Sequence, residues 1–137
     1  MSKLIKLIKV SKIIDDCTLC VIQDLDLPFK IRRVYYIIYP KKGLLRGAHA
    51  HLKNKQVLFC IRGSVRIVLD DGSKKESVVL SEPNIGIVLD KMIWHEMCDM
   101  NKDSLLLVLA SDLFAPDDYI RDYNAFVRLT KNEKKKN

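Results

Sequence analysis

The sequence predicts an all-β fold, a barrel, jelly roll or sandwich of short strands, with one short helix near the C-terminal end. Short segments rich in β-branched and apolar residues recur between turn residues, and no segment before residue 111 has the apolar spacing of a durable helix. Such strands must close on themselves or stack in order to protect their edges. The chain has 137 residues, which is enough for one domain with its own core but leaves little room for a second.

Ten segments are predicted to be strands. In chain order they are KLIKLIKV, TLCVIQ, IRRVYYIIY, GAHAH, VLFCIRG, VRIVLDD, SVVLS, IGIVLD, IWHEMCD and SLLLVLAS. The clearest hairpin is VRIVLDDGSKKESVVL, because Asp-Gly tolerates the positive φ that a tight turn requires. Segments containing proline, glycine or asparagine separate most of the other strands, and this composition is typical of turns.

The segment APDDYIRDYNAFVRL breaks this pattern and predicts the C-terminal helix. Asp117 is the predicted N-cap, and apolar residues recur behind it at helical spacing. They are Tyr119, Ile120, Tyr123, Phe126 and Val127. The last seven residues, KNEKKKN, hold four of the 24 basic residues. We therefore expect a single domain over residues 1–130 and a basic, disordered tail over residues 131–137.

The net charge of +7 does not predict a nucleic-acid partner. Outside the tail the basic residues are scattered, without a recognition helix or a basic stripe interleaved with aromatic residues. A surplus of positive charge suits an anionic small molecule equally well.

The sequence also predicts a cytoplasmic protein without a membrane partner. No apolar run approaches the roughly 20 residues that span a bilayer, and MSKLIKLIKV lacks the apolar core and cleavage site of a signal peptide. Cys17 and Cys20 have the CxxC form, but no second such pair or nearby histidine follows them, which disfavours zinc. All four cysteines are expected to be reduced.

The segment RGAHAH holds two of the three histidines of the chain, His49 and His51. Five residues separate Gly43 from His49, four separate His51 from Gln56, and six separate Gln56 from Gly63. This is the first sequence motif of the cupins, with Gln56 in place of its glutamate. Residues two apart on a strand point to the same side, so both imidazoles are expected inside a small barrel. The expected architecture for residues 1–130 is a single cupin domain, a double-stranded β-helix of the jelly-roll type.

Two functions are open to these histidines. In metal-binding cupins the two histidines, the glutamate and a histidine of a second motif hold a transition metal, and His95 in GIVLDKMIWHEM is placed to be that last ligand. The second motif lacks its usual proline and glycine, however, and Gln56 lacks the anionic oxygen that helps to neutralise a divalent cation. We therefore predict no metal, and general acid and base chemistry by the imidazoles instead. Buried strand histidines without a catalytic role are the alternative.

The strand IRRVYYIIY adds polar groups to this site. If Val34 and Tyr36 face outward, Arg33 and Tyr35 face inward, where an arginine is costly unless it meets an anion. Arg33 would then bind phosphate, and Tyr35 would offer a phenol near the imidazoles. The alternative is the reversed pleat, which leaves Arg33 in solvent.

Several blocks occur in the order and spacing of one family. They are IRRVYYI, RGAHAH followed by Gln56-Val57, GSVRIVLDDG, WHEM, VLASD and DYIRDY. On these blocks, from about residue 10 to 130, the chain resembles the dTDP-4-keto-6-deoxyglucose 3,4-ketoisomerases, small cupins of dTDP-sugar biosynthesis. The resemblance implies an isomerase that moves the keto group of a dTDP-linked sugar from C4 to C3 and so feeds the synthesis of 3-amino sugars. It also implies a homodimer that exchanges N-terminal strands, with no metal and no other cofactor.

The catalytic residues of that family fall on Tyr35, His49 and His51. The reaction needs a proton removed from C3, an enediol or enediolate, and a proton delivered to C4. We expect one histidine, preferably His49, to act at C3, the other to act on oxygen, and Tyr35 to stabilise the enediolate. Which imidazole performs which step stays open here.

Further residues are predicted to bind the substrate. They are Arg33, Arg46, Gln56, Trp94, His95 and Arg121. The arginines are expected at the pyrophosphate, although Arg46 lies three residues before His49 and needs either a bulge or a strand start in order to reach the site. Trp94 and His95 are placed at the mouth of the barrel, either in direct contact with the substrate or as structural neighbours.

One departure from the family lies in IIDDCTLC, which is about one residue shorter than the corresponding segment of the relatives and lacks their usual Arg-Gly turn. Affinity or nucleotide preference therefore stays open. The C4 configuration of the product also stays open, because it depends on which face receives the proton. The alternatives are a cupin dTDP-sugar 3,5-epimerase, a metal-dependent cupin oxygenase, which Gln56 disfavours, and a non-catalytic sugar-binding cupin module.

Overall fold

The computed structural model describes residues 4–136 and contains, in that range, twelve strands, two short 3-10 helices and one α-helix. The strands are β1 (Leu7–Lys9), β2 (Ser11–Ile14), β3 (Thr18–Val21), β4 (Arg33–Ile38), β5 (Arg46–His51), β6 (Gln56–Arg62), β7 (Val65–Asp70), β8 (Lys75–Leu80), β9 (Ile85–Leu89), β10 (Trp94–Cys98), β11 (Leu105–Ala110) and β12 (Tyr119–Ile120). The 3-10 helices span Asp24–Asp26 and Pro116–Asp118, and the helix α1 spans Tyr123–Lys136. The start of the first predicted strand and Asn137 of the predicted tail lie outside the described residues.

The strands form two antiparallel sheets of five strands each. The first has the order β1-β9-β6-β11-β4, and the second has the order β12-β5-β10-β7-β8. Strands β2 and β3 pair only with each other. The predicted all-β fold with a C-terminal helix is therefore confirmed, and so is the hairpin of β7 and β8, in which Asp70 pairs with Lys75.

The main core lies between the two sheets, where alternate side chains of both point inward. Its fully buried members include Leu58 on β6, Ile67 on β7, Ile87 on β9 and Val108 on β11. Burial of such side chains contributes about 1.5–3 kcal/mol each. This rigid layer fixes the positions of the strands that carry polar side chains at its edge.

The outer face of the second sheet is covered by α1. Phe126 of the helix is fully buried against Ala50, Trp94 and Ile120. The helix begins at Tyr123, because the side chain of Asp122 accepts a hydrogen bond from the backbone N–H of Ala125 at 3.0 Å.

The C-terminal segment therefore differs from its prediction. Asp117 is not the N-cap, and Tyr119 and Ile120 form the strand β12, which pairs with His51 and Ala50 of β5. A pair of strand residues carries too little periodicity to be distinguished from the helical pattern that follows it. The helix also continues through Lys136, so residues 131–136, expected to be a tail, are helical.

Between residues 4 and 136, no helix combines the length and the apolar character needed to cross a bilayer. The four cysteines are unpaired thiols, as predicted.

A bulge in β5 determines which side chains of RGAHAH reach one side of the strand. Gly47 and Ala48 have positive φ angles of 83° and 60°, and the pairing of β5 with β10 shifts register opposite them, between His95 and Glu96. The extra residue allows Arg46 and His49 to line the same cavity despite their odd separation. Of the two alternatives given for Arg46, the structure has the bulge, and Arg46 is also the first residue of β5.

The substitution Gly47→Ala tests this local geometry. A Cβ at Gly47 would lie 2.9 Å from the backbone oxygen of His95, whereas a Cβ at Gly43, which has the same φ of 83°, meets no atom within 4 Å. Gly43→Ala should therefore cost only the conformational penalty of about 1–2 kcal/mol. Gly47→Ala should cost about 1–3 kcal/mol more, because the paired strand must move.

Urea denaturation of the two variants and the wild type measures this difference. Equal free energies of unfolding for the two variants would show that the close contact at Gly47 has no energetic weight.

Candidate active site

A cavity of about 390 Å³ opens where the edges of the two sheets meet. Its walls come from β4 at the edge of the first sheet, from β5 and β12 at the edge of the second, and from β10. The lining residues are Arg33, Val34, Tyr35, Ile37, Arg46, Gly47, His49, Met97, Phe114, Tyr119 and Arg121. The cavity is thus a mixed surface of apolar, aromatic and cationic groups, which suits an amphiphilic anion.

The three histidines of the chain form one cluster at the inner wall of the cavity. His95 on β10 is the register partner of His49 on β5, which places their ring centroids 4.5 Å apart. The ring of His51 lies 5.0 Å from that of His49 and 5.8 Å from that of His95. One nitrogen of each ring lies within 4.8 Å of the others. The prediction that His49 and His51 point to the same side is confirmed, and His95 joins them.

Each ring is held through its Nδ1 atom. His49 Nδ1 lies 3.1 Å from the backbone oxygen of Gly47, and His95 Nδ1 lies 3.4 Å from that of Ile93. His51 Nδ1 lies 3.0 Å from a carboxylate oxygen of Asp118. The Nε2 atoms of His51 and His95 are buried and have no hydrogen-bond partner within residues 4–136.

Burial keeps the imidazoles neutral at physiological pH. It lowers the pKa of His49 to about 4, with a further contribution from His51. Burial also lowers the pKa of His51, although the carboxylate of Asp118 acts in the opposite direction. The pKa of the fully enclosed His95 is lowered well below its ordinary value, again mainly by burial. Neutral imidazoles in a cavity can accept protons, as general bases must.

Tyr35 enters the cavity beside the histidines. Alternation along β4 turns Arg33 and Tyr35 toward the cavity and leaves Tyr36 exposed. The phenolic oxygen of Tyr35 accepts a hydrogen bond of 2.8 Å from Nε2 of Gln56. Burial raises the pKa of Tyr35, and the bond from Gln56 lowers it in part. Since the amide of Gln56 is the donor in this contact, the proton of the phenol is free to be donated to another oxygen.

Three arginines contribute guanidinium groups to the cavity. Arg33, Arg46 and Arg121 all line it. Arg121 lies over the ring of Tyr119, with its Cζ 4.4 Å from the centroid, and Nε of Arg33 is buried without a hydrogen-bond partner in the described part of the chain. Such a buried donor needs an acceptor, and a phosphate oxygen supplies one.

Three predicted binding residues, Gln56, Trp94 and His95, do not line the cavity. Gln56 is buried behind Tyr35 and contacts its hydroxyl instead. Trp94 packs against Tyr123 and Phe126 of α1, and its Nε1 donates to Glu96 at 3.3 Å. For Trp94 the structural alternative is therefore the one that the geometry favours, whereas His95 lies in the histidine cluster behind the cavity wall.

Several residues at the site were not predicted to belong to it, among them Phe114, Asp118 and Tyr119. Phe114 and Tyr119 line the cavity, and Asp118 binds His51. All three lie in the segment that the sequence pattern assigns to a loop and the start of a helix. The acidic pair before YIRDY is the only sequence signal for Asp118, and it is indistinguishable from a helix cap.

The histidine cluster could hold a metal ion through its three imidazoles. The anionic fourth ligand of metal-binding cupins is missing, because Gln56 occupies its position and its amide is engaged with Tyr35. The donor set therefore fits a divalent cation poorly. The absence of a metal stays a prediction.

Comparison with known proteins identifies the family. Residues 2–131 match the family described as FdtA, WxcM-like, C-terminal. The chain belongs to this family. It is 42% identical over 123 residues to the TDP-4-oxo-6-deoxy-α-D-glucose-3,4-oxoisomerase of Aneurinibacillus thermoaerophilus, with 88% of each chain covered. The family predicted from the motifs is therefore confirmed.

Two solved structures resemble this chain in both fold and sequence. A 3,4-ketoisomerase from Helicobacter canadensis is 40% identical, with a TM-score of 0.88 and coverage of 93% of this chain and 97% of that one. The 3,4-ketoisomerase QdtA from Thermoanaerobacterium thermosaccharolyticum is 38% identical, with a TM-score of 0.92 and coverage of 97% and 98%. QdtA was solved with TDP, and a variant with one histidine replaced by asparagine was solved with TDP-4-keto-6-deoxyglucose. The predicted isomerase class and cupin fold are confirmed.

Proposed function

We propose that this protein converts dTDP-4-keto-6-deoxyglucose to a dTDP-3-keto-6-deoxyhexose by moving protons, without a metal or redox cofactor. The observation that carries this proposal is the cavity itself, in which neutral imidazoles and a phenol lie beside three guanidinium groups. The relative from Aneurinibacillus thermoaerophilus, which is 42% identical to this chain, is a TDP-4-oxo-6-deoxy-α-D-glucose-3,4-oxoisomerase. A dTDP-sugar 3,5-epimerase, the alternative, is not favoured by relatives of this kind.

The first half of the reaction forms an enediol. His49, the histidine that lines the cavity, removes the proton from C3, and the electron pair of the C3–H bond forms a double bond between C3 and C4. The electrons of the C4 carbonyl move to its oxygen, which receives a proton from Tyr35. A phenol whose pKa is raised by burial starts this step in its protonated form.

The second half reverses these changes at the neighbouring carbons. The hydroxyl on C3 loses its proton, a carbonyl forms at C3, and the double bond collapses to take a proton at C4. His49 returns its proton at C4, and the proton of the C3 hydroxyl passes, with the participation of His51, to the phenolate that Tyr35 became in the first half. No net oxidation occurs, because one carbon is oxidised as its neighbour is reduced.

The arginines bind the nucleotide in this proposal. Arg33, Arg46 and Arg121 provide the cationic surface for the pyrophosphate, and Phe114 at the rim offers an aromatic face to the base. The ring of His95 packs against the rings of the two catalytic histidines. The keto product then suits an aminotransferase that makes a 3-amino sugar. A cytoplasmic location is also part of this proposal, and the unpaired thiols agree with a reducing compartment.

The test is keto migration observed by NMR. Purified, chelator-treated protein is incubated with dTDP-4-keto-6-deoxyglucose in D2O, with the protein's metal content measured in parallel. We expect signals of a 3-keto product carrying deuterium at C4, at the same rate before and after chelator treatment, because imidazoles exchange bound protons with solvent.

Other spectra would contradict the proposal. Exchange confined to C3 and C5 without keto migration would indicate an epimerase, and an unchanged substrate that still binds would indicate a binding module. Activity lost with the chelated metal and restored by adding it back would overturn the metal-free mechanism.

We also propose that two copies of the chain associate through their N-terminal strands. Ile13, Ile14 and Leu19 of the β2–β3 hairpin are more than half exposed, at 52%, 69% and 53%. Val34 and Tyr36 on the outer side of the edge strand β4 are 56% and 65% exposed. Two unpartnered apolar surfaces of this kind are typical of an interface, and the hairpin of one copy would cover β4 of the other.

The substitution Tyr36→Lys tests the dimer, with Val79→Lys as the control. Val79 is 47% exposed on β8, the edge strand of the other sheet. Light scattering should give twice the chain mass of 15.8 kDa for the wild type and the control, and a concentration-dependent shift toward 15.8 kDa for Tyr36→Lys. A monomeric wild type, or a dimer that Tyr36→Lys leaves intact, would show that this surface is not the interface.

A further inference from the structure

Asp118 lies immediately before β12 and connects the C-terminal segment to the histidine cluster. Its carboxylate is mostly buried, with 14% of the side chain exposed. One oxygen accepts a hydrogen bond from the backbone N–H of Lys53 at 2.7 Å, and the other accepts one from the backbone N–H of Asn54 at 3.2 Å. The second oxygen also contacts His51 Nδ1 at 3.0 Å.

These contacts determine the tautomer of His51. Backbone N–H groups can only donate, and an ionised carboxylate can only accept. Of the three groups around Asp118, two are fixed donors, and the third, Nδ1 of His51, must also donate in order to form a hydrogen bond. In neutral His51 the single ring hydrogen is therefore on Nδ1, and Nε2 carries a free lone pair. That Nε2 atom is buried and lacks a partner among the described residues.

Within residues 4–136, the other two histidines have no acidic hydrogen-bond partner. The Nδ1 atoms of His49 and His95 face only backbone oxygens. An imidazolium formed on either ring would rest against a neutral carbonyl, whereas one formed on His51 would rest against a carboxylate. Charge therefore distinguishes His51 from its two neighbours.

We propose that Asp118 is a positioning residue that holds His51 as the Nδ1–H tautomer, so that His51 is the imidazole that accepts and retains the hydroxyl proton of the substrate. This inference rests on the proposed function. The O–H bond at C3 breaks, its electron pair enters the new C3 carbonyl, and the proton goes to Nε2 of His51. It then returns to the phenolate of Tyr35, directly or through solvent, which restores the resting protein.

Several other groups also influence the pKa of His51. Each of them either disfavours the protonated imidazole or has no effect on it. Burial lowers its pKa, and so do the guanidinium groups of Arg33 and Arg121. The rings that pack around it are those of His49, His95 and Tyr119. The hydrogen bond and the charge of Asp118 are what raise its pKa.

The substitution Asp118→Asn separates this role from a merely structural one. The oxygen of an amide accepts hydrogen bonds, whereas its nitrogen only donates them. The amide therefore cannot accept hydrogen bonds at both terminal atoms, as the contacts with Lys53, Asn54 and His51 require. We expect His51 to populate the Nε2–H tautomer, kcat to fall about 10²- to 10⁴-fold, and KM to change little. The acid limb of the kcat profile should move to lower pH, because the group that raises the pKa of His51 is gone. Asp117→Asn, next to it and exposed, is the matched control and should leave all these quantities unchanged.

The measurement is long-range ¹H–¹⁵N NMR of ¹⁵N-histidine-labelled protein, together with steady-state kinetics of both variants. A wild-type His51 that carries its hydrogen on Nε2 would overturn the inference, even if Asp118→Asn fails to fold. So would a folded Asp118→Asn protein whose kcat lies within about threefold of the wild type. The tautomer is measured without substrate, so failure of the wild type to isomerise the sugar would count against the proposed function and not against the contact of Asp118 with His51.

Discussion

The pairing of β5 with β10 is the constraint on which the site depends. It places His49 directly opposite His95 across two antiparallel strands, and alternation along β5 brings His51 to the same side. The bulge at Gly47 then turns Arg46 toward the cavity as well. A slip of one residue in this register would move the imidazoles to the opposite face of the sheet. The apolar layer between the sheets, and α1 on the outside, prevent that slip because both depend on the same register.

Burial shifts the pKa values of these side chains. An exposed histidine is partly protonated near neutral pH, whereas His49, with a pKa of about 4, is almost wholly neutral there. The same burial raises the pKa of Tyr35, a phenol that is protonated at neutral pH even when exposed, so the cavity holds a proton acceptor and a proton donor at one pH. Arg33, Arg46 and Arg121 line the same cavity as His49 and Tyr35. A cavity that combines neutral proton-transfer groups with guanidinium groups suits a substrate with a keto sugar at one end and a pyrophosphate next to it.

Most of the fold and about half of the site could be predicted from the sequence. Alternating apolar residues revealed ten of the strands, and the spacing from Gly43 to Gly63 revealed why His49 and His51 converge. Arg33 and Tyr35 followed from alternation along one strand. Asp118 could not be found in this way, because its partner is 67 positions away and the strand that brings it there is too short to have a period. Trp94 was predicted to lie in the site because of the residues next to it in the sequence, but its large apolar ring is buried under α1 instead.

The most direct test of the account is the substitution His49→Asn, because His49 is the one histidine that lines the cavity. Turnover of dTDP-4-keto-6-deoxyglucose and the affinity for dTDP, by calorimetry, should be measured on the same preparation. Turnover is expected to fall at least about 10²-fold, since the proposed general base is removed. The affinity for dTDP is expected to stay nearly unchanged, because the arginines proposed to bind the pyrophosphate are intact. Turnover close to that of the wild type, or a large loss of dTDP binding, would contradict the assignment of His49 as the base at C3.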